Sequence, residues 1–175
     1  DGDGDMDFIG ARYQPGLIVW FEQPNKNQTA APWKARIAED EIIGIHGVLK
    51  ADVNGDGKLD LVVCEYGNLA GGITWLNGAE SAKRQVLLEQ PGILNAAAAD
   101  FNGDGSLDFA ALTGQAREMV MLFMGDGKGG FEPQAILPRH PGWGHSHLAV
   151  ADFNGDNAPD LLITNGDNGD LLDPP

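Results

Sequence analysis

The sequence contains little cysteine, little positive charge and no long apolar run. Cys64 is the only cysteine, so no internal disulfide can form, and the apolar run around it predicts a buried thiol. Lysine and arginine number 11 against 26 aspartates and glutamates, which gives a net charge of −15. Such an acidic chain lacks the basic groups that bind phosphates, so no nucleic-acid partner is expected. No apolar run approaches the roughly 20 residues of a membrane-spanning helix, so no membrane insertion is expected.

Catalytic signatures and helical patterns are also missing. No Ser-His-Asp, Cys-His or phosphate-loop pattern stands out, and no CxxCH is present to attach a c-type haem. No segment has helical periodicity together with a good helix start and stop. Glycine is abundant, in contrast, at 25 residues, which indicates many turns between short strands. We therefore expect an all-β protein that is not an enzyme.

An internal repeat dominates what the sequence does contain. Three segments align without gaps: ADVNGDGKLDLVV from Ala51, ADFNGDGSLDFAA from Ala99 and ADFNGDNAPDLLI from Ala151. The opening residues, DGDGDMDFI, match the same pattern without its first two positions. The final aspartates of the four copies are Asp7, Asp60, Asp108 and Asp160, so the period is about fifty residues.

Each period contains four short strand signals. One apolar stretch precedes the acidic segment, a second follows it, a third follows a glycine turn, and a fourth ends the period. Four strands in about fifty residues are typical of a β-propeller blade. A β-sandwich is the alternative, but it does not explain the regular recurrence. We predict one partial propeller over residues 1–175, of about three to four blades: 1–41 (truncated), 42–91, 92–141 and 142–175 (truncated).

The chain is not expected to be a complete folding unit. It starts at the third position of one acidic segment and ends soon after the second strand of another blade. Closed propellers have about four to eight blades, and repeat units do not bury their faces alone. The expected partners are therefore the remaining blades of the same parent chain or neighbouring subunits.

The acidic segments have the composition of calcium-binding loops. When each is written as nine positions, oxygen-bearing side chains occupy positions 1, 3, 5 and 9. Calcium prefers six to eight hard oxygen ligands, and a tightly curled loop can point alternate side chains inward. Position 7 varies, so it would contribute a backbone carbonyl. The predicted ligands are Asp52, Asn54, Asp56, Lys58 and Asp60; Asp100, Asn102, Asp104, Ser106 and Asp108; Asp152, Asn154, Asp156, Ala158 and Asp160; and Asp1, Asp3 and Asp7 of the shortened first copy.

Two further positions separate these loops from simple turns and from EF-hands. Position 6 is Gly57, Gly105 or Asn157, residue types that accept the left-handed backbone of a sharp turn around an ion. Position 12, where an EF-hand has glutamate, lies here inside an apolar strand. An acidic turn without an ion is the alternative, but three full copies with one ligand pattern favour calcium. Magnesium fits less well, because it requires strict octahedral geometry.

The loop pattern D-x-[DN]-x-D-G-x-x-D followed by an apolar strand resembles the FG-GAP/VCBS repeat family, which includes the propeller of integrin α-subunits. The pattern lies at 52–60 and 100–108, and the copy at 152–160 departs from it at Asn157 and Pro159. The stretches LIVWFEQP, GDGKGGFEP and LLITNGDNGD are similar to those of large exported bacterial proteins. The resemblance implies calcium in the loops, an extracellular or periplasmic location, and a role in adhesion or assembly. It does not fix a ligand, for which a protein or a glycan is the candidate.

Two other groups of side chains are weaker candidates for function. His46, His145 and His147 stand near the start of predicted first strands and could bind a transition metal, although hydrogen bonds to the backbone are the favoured alternative. Trp20, Trp75 and Phe123 occupy what look like matching places in the third strands. They could form a sugar platform, but a core between blades is favoured.

Two functions therefore compete. The first is a calcium-stabilised binding, adhesion or assembly module of a larger exported protein. The second is a scaffold domain of an extracellular enzyme, such as a polysaccharide lyase or a cytochrome- or redox-associated protein. Fold alone does not choose between them. Polar residues outside the repeat pattern are sparse, which favours the module.

Overall fold

The computed structural model describes residues 4, 6–14, 16–24, 31–42, 44–67, 69–78, 83–114, 118–138 and 144–166. Every regular element within these ranges is a β-strand, so the all-β prediction is confirmed. The strands are β1 (Phe8–Arg12), β2 (Leu17–Glu22), β3 (Lys34–Glu39), β4 (Ile45–Ala51), β5 (Asp60–Glu65), β6 (Gly72–Asn77), β7 (Lys83–Glu89), β8 (Ile93–Ala99), β9 (Asp108–Thr113), β10 (Met119–Gly125), β11 (Phe131–Pro138), β12 (His145–Ala151) and β13 (Asp160–Asn165). No helix in these ranges is long and apolar enough to cross a membrane.

The strands form four antiparallel sheets, one per repeat, which we call blades 1 to 4. Their strand orders are β1-β2-β3, β4-β5-β6-β7, β8-β9-β10-β11 and β12-β13. Consecutive blades adjoin through their first strands, because β4 lies beside β8 and β8 beside β12. A succession of small meandering sheets stacked through one strand each is the arrangement of a partial β-propeller, not of a sandwich.

The core lies between the blades. We call the face that a blade turns to the preceding blade its leading face, and the opposite one its trailing face. One apolar cluster joins blades 1 and 2 around Ile18 and Leu61. A second joins blades 2 and 3 around Val62 and Phe109, and a third joins blades 3 and 4 around Leu112 and Leu148. The central strands are covered on both sides, which explains why β5 and β9 are almost wholly buried apolar runs without alternation.

Two β-bulges recur at matching places. In the first strands, one extra residue interrupts the pairing with the second strand, at His46, Leu94 and Ser146. In the fourth strands β3, β7 and β11, one extra residue interrupts the pairing with the third strand, at Ala38, Leu87 and Ile136. Because the bulges repeat with the blades, they belong to the fold and not to local sequence accidents.

The strand register corrects one sequence alignment. Trp20 pairs with Ile9 and Trp75 with Val62, so these two tryptophans are equivalent. Phe123 pairs with Phe109, so it stands one residue further along the third strand than the two tryptophans do. Its side chain therefore lies on the opposite face of its blade. All three side chains are at least 94% buried, as a core between blades requires and an exposed sugar platform does not.

Candidate metal centres

Each complete acidic loop connects the first strand of a blade to the second, so three of them follow β4, β8 and β12. In blade 2, the Oδ1 atoms of Asp52 and Asn54 both accept the backbone N–H of Asp56, at 3.1 and 3.0 Å. The second oxygen of Asp52 accepts the N–H of Gly57 at 2.8 Å. The side chains at positions 1 and 3 thus converge on the backbone at position 5, on the inside of the curl.

The same bonds recur in the other two loops. In blade 3, the oxygens of Asp100 and Asn102 accept the N–H of Asp104 at 3.1 and 2.9 Å. In blade 4, those of Asp152 and Asn154 accept the N–H of Asp156, at 3.1 and 2.8 Å. The three loops therefore share one conformation, although position 7 changes from lysine to serine to alanine.

Position 6 has the left-handed backbone that the sequence predicts. Its φ angle is 84° at Gly57, 85° at Gly105 and 67° at Asn157. Asn157 is the one residue other than glycine with positive φ in the part of the chain that the structure describes. Asparagine tolerates this conformation better than most residues, so the third loop keeps the same turn without glycine.

The aspartate at position 9 fastens each loop to its blade. Asp60 is fully buried, and its two oxygens accept the N–H of Val53 at 3.2 Å and that of Gly78 at 2.8 Å. Asp108 is likewise buried and accepts the N–H groups of Phe101 and Gly125, at 2.9 and 2.7 Å. One carboxylate thus joins the start of the loop to the end of the third strand.

The equivalent aspartates of blades 1 and 4 each make one of these two kinds of hydrogen bond. Asp160 accepts the N–H of Phe153 at 2.9 Å, and Asp7 accepts that of Gln23 at 2.9 Å. Asp1 and Asp3, the other predicted ligands of the first copy, lie outside the described residues.

The carboxyl groups of the loops differ in their pKa values for identifiable reasons. Burial raises the pKa of Asp60, and the nearby charge of Asp56 adds to the effect. The N–H of Ser106 lowers the pKa of Asp104, and the N–H of Asn157 lowers that of Asp152. The curled backbone thus stabilises Asp104 and Asp152 as anions, whereas burial imposes a desolvation cost on ionised Asp60.

The backbone of position 7 makes the same bond in all three loops. The N–H groups of Lys58, Ser106 and Ala158 donate to the position-5 carboxylates at 2.9, 2.7 and 2.8 Å. Their backbone carbonyls, which were the predicted ligands, are compatible with any side chain.

The oxygen donors of the loops and the curled shape of each loop suit a hard cation. Each complete loop supplies carboxylate and amide oxygens, and those of positions 1 and 3 converge on the backbone N–H of position 5. Among the described residues, however, no three His, Cys, Asp or Glu side chains form a ready-made metal cluster. In blade 2 the backbone N–H groups of Gly57 and Val53 occupy oxygens of Asp52 and Asp60. A carboxylate has about four lone-pair sites, so these bonds leave capacity for an ion.

The three candidate histidines have separate partners. His46 Nδ1 lies 2.8 Å from the carbonyl oxygen of Leu94, the backbone contact favoured from the sequence. His147 Nδ1 lies 2.6 Å from Nδ2 of Asn95. His145 is buried with its Nδ1 3.1 Å from Glu118, which also accepts the backbone N–H of His145. The described residues therefore contain no transition-metal cluster built from these side chains.

The hairpin that connects β10 and β11 lies beside the loops. Asp126, after β10, accepts the N–H groups of Lys128 and Gly130, both at 2.8 Å, and these bonds lower its pKa. Gly129 lies directly against the Trp75 ring of blade 2, where a Cβ would be only 2.3 Å from a ring carbon. The sequence GDGKGG marks this turn, but it does not reveal the contact with the neighbouring blade.

A cleft of about 370 Å³ lies on blade 2, at the strand ends away from the acidic loop. Its lining includes Glu65, Thr74 and Arg84, and the Thr74 hydroxyl donates to Glu65 at 2.6 Å. By register, Thr74 corresponds to Val19 and Met121 in the adjacent blades. A polar residue at the place of Thr74 is therefore outside the repeat pattern.

Comparison with protein families agrees with the repeat geometry. The model of the FG-GAP-like repeat matches residues 1–63, 52–111 and 100–163. Each match begins in or at one acidic loop and ends in the strand after the next loop, so the family unit is framed by two loops. The chain belongs to the FG-GAP-like repeat family, as its motifs indicated. No curated protein matches the chain.

Proposed function

We propose that this chain is a calcium-binding module whose three complete loops each hold one Ca²⁺. The ligands would be the side chains at positions 1, 3, 5 and 9 and the backbone carbonyl at position 7. In blade 2 these are Asp52, Asn54, Asp56, Asp60 and the carbonyl of Lys58; in blades 3 and 4 they are Asp100, Asn102, Asp104, Asp108 and the carbonyl of Ser106, then Asp152, Asn154, Asp156, Asp160 and the carbonyl of Ala158.

The observation that carries this proposal is the triplicated loop conformation. Three sequences that differ at positions 2, 6, 7 and 8 keep the same convergence of side-chain oxygens. Three carboxylates per loop repel one another at neutral pH unless a cation offsets their charge. A divalent ion with hard oxygen preference supplies that charge, and calcium tolerates the irregular geometry of such a loop.

The proposed role is that of a binding, adhesion or assembly module outside the cytoplasm. Repeats of this family make a structural scaffold, and the recurring acids of this chain are explained by the loops. Extracellular calcium modules typically have dissociation constants of about 10⁻⁴ to 10⁻³ M, a range suited to an extracellular or periplasmic location. Protein or glycan ligands are the proposed partners.

One observation favours the enzyme-scaffold alternative, namely the cleft at Glu65 and Thr74. Thr74 and Arg84 in its lining are replaced by apolar residues in the adjacent blades, and non-repeated polar groups in a pocket are where a scaffold acquires chemistry. Chemical-shift mapping with a panel of oligosaccharides tests this alternative. Chemical-shift changes that are confined to the cleft and abolished in Glu65→Gln would support the enzyme scaffold. A cleft without chemical-shift changes would favour the binding module instead.

Calcium binding is tested by titration calorimetry and thermal unfolding on chelator-treated protein. We expect about three sites, a lower unfolding midpoint in chelator, and recovery with calcium but not with equal magnesium. Asp100→Asn should reduce the stoichiometry to about two, whereas Glu41→Gln, which changes an exposed acid outside the loops, should leave it unchanged. An unfolding midpoint that ignores chelator would contradict the proposal. Sub-micromolar affinity at every loop would remove the argument for an extracellular location.

A further inference from the structure

Asn-Gly pairs recur in the described residues, and this dipeptide is prone to deamidation. The backbone nitrogen of the second residue attacks the side-chain amide carbon of the first, and glycine hinders that approach least because it has no side chain. Five pairs begin at Asn54, Asn77, Asn102, Asn154 and Asn165, and a sixth, at Asn168, lies outside the described residues. The five pairs share one chemistry, so the state of the attacking glycine nitrogen distinguishes them.

Four of these five glycine nitrogens are held by a hydrogen bond. The acceptors are Asp60 for Gly78, Asp100 for Gly103, Asp152 for Gly155 and the carbonyl of Gly144 for Gly166, at 2.8, 2.7, 2.6 and 2.9 Å. The nitrogen must lose its proton to attack. A carboxylate that accepts the N–H opposes this step, because its negative charge disfavours a second one beside it.

Gly55 is the exception among the five. No group of the described residues accepts its N–H, because the two oxygens of Asp52 accept the N–H groups of Asp56 and Gly57 instead. The corresponding loop glycines of blades 2, 3 and 4 are all exposed, and their φ angles are 72°, 75° and 82°. Water access and backbone curl are therefore alike, and the hydrogen bond on the nitrogen is what differs.

The loop of blade 2 also activates the carbon that is attacked. Oδ1 of Asn54 accepts the N–H of Asp56 at 3.0 Å. Attack places negative charge on this oxygen, and a backbone N–H already directed at it stabilises that charge. The leaving group is more loosely held than in the other loops. Nδ2 of Asn54 lies 3.4 Å from the position-5 carboxylate, against 2.8 Å for Asn102 and 3.1 Å for Asn154.

We propose that Asn54-Gly55 is a deamidation site of the native protein and the most reactive of the five pairs. The Gly55 nitrogen loses its proton and bonds to Cγ of Asn54, the Cγ–Nδ2 bond breaks, and the amide nitrogen leaves with that proton as ammonia. Water then opens the resulting succinimide to aspartate or isoaspartate. Isoaspartate inserts a methylene into the main chain at loop position 3, so the loop of blade 2 changes with age while those of blades 3 and 4 persist.

The test ages the native wild-type protein in mildly alkaline buffer with chelator and locates deamidation by peptide mass spectrometry. Lys50 and Lys58 bracket Asn54, so trypsin isolates it in a short peptide, and unaged protein gives the background. Asn54 should react at least about tenfold faster than Asn102 and Asn154, the ratio that one charge-assisted hydrogen bond supplies. In denaturant the rates should converge. Because chelator is present, the result is independent of calcium binding.

Two reciprocal variants test the role of the hydrogen bond. Asp100→Ala releases the N–H of Gly103 and should raise the rate at Asn102 without changing that at Asn154, whereas Asp152→Ala should do the reverse. Circular dichroism verifies that each variant is folded. Equal native rates in the three wild-type loops would overturn the proposal, and so would a rate order that persists in denaturant. A slower reaction at Asn102 in Asp100→Ala would also overturn it, because the carboxylate would then be acting as a base.

Discussion

Gly55 in the acidic loop of blade 2 faces the carbonyl oxygen of Gly127 in the hairpin of blade 3, where a Cβ on Gly55 would lie 3.3 Å from that oxygen. The hairpin also approaches the loop of its own blade, since a Cβ on Gly127 would lie 3.1 Å from the hydroxyl of Ser106. The hairpin therefore lies between two candidate calcium loops. At the equivalent Gly103 and Gly155, no atom of the described residues lies within 4 Å of such a Cβ.

These three glycines provide a matched substitution series. Their φ angles are 72° at Gly55, 75° at Gly103 and 82° at Gly155, so alanine suffers the same backbone strain of about 1–2 kcal/mol at each. Gly55→Ala should lower the free energy of unfolding most, because the hairpin must also move. Denaturant unfolding of the three variants measures this. Equal decreases in the free energy of unfolding would show that the hairpin moves away at no cost.

Asp60→Ala should be far more damaging than Lys58→Ala. The first substitution leaves the buried N–H of Val53 without its acceptor, at about 1–3 kcal/mol, and also removes the acceptor of the half-buried N–H of Gly78. The second removes an exposed side chain, so its effect should be within about 0.5 kcal/mol. Denaturant unfolding in chelator isolates the structural part of the loss. Similar effects of the two substitutions would argue against the fastening role of position 9.

Asp126 should contribute stability that disappears in acid. The N–H groups of Lys128 and Gly130 hold its pKa below the usual 3.8. A lowered folded-state pKa means that the contribution is fully present above the unfolded value and is lost as pH falls through the folded value. Asp126→Asn should therefore reduce stability at neutral pH, and the difference from wild type should shrink below pH 3.8. Unfolding midpoints across pH measure this, and a difference that grows in acid would refute the assignment.

Cys64 should report on opening of the core. Burial raises the pKa of its thiol to about 12, so the native protein presents almost no thiolate at pH 8. Reaction with a thiol reagent should be slower than in denaturant by a factor on the order of 10³ or more, because it requires unfolding. Rapid native labelling would mean that blades 2 and 3 separate easily.

The repeat made much of the fold predictable from the sequence. The acidic segments fix the end of one strand and the start of the next, so the predicted strand at Leu61 to Cys64 lies within β5 (Asp60–Glu65). The left-handed turn at Gly57 and Asn157 also followed from residue type, because few residues other than glycine and asparagine accept that backbone.

Contacts between blades were not predictable in the same way. Phe123 was aligned with Trp75 by its aromatic character, but cross-strand pairing places it one residue further along. His46 contacts the carbonyl of Leu94, which lies 48 residues away in the chain. Such partners depend on how neighbouring sheets stack, and the residue types along one strand do not show which residues of the next sheet they will contact.

The bulges of the fourth strands have a consequence for behaviour at high concentration. An outermost strand presents free backbone groups that can template a strand from another molecule, which is how amyloid-like assembly starts. The extra residues at Ala38, Leu87 and Ile136 locally twist the rims of blades 1 to 3 and break the regular spacing that an incoming strand would need. The bulges therefore disfavour edge-to-edge aggregation at the rim, even though the fourth strands contain residues with high β-propensity.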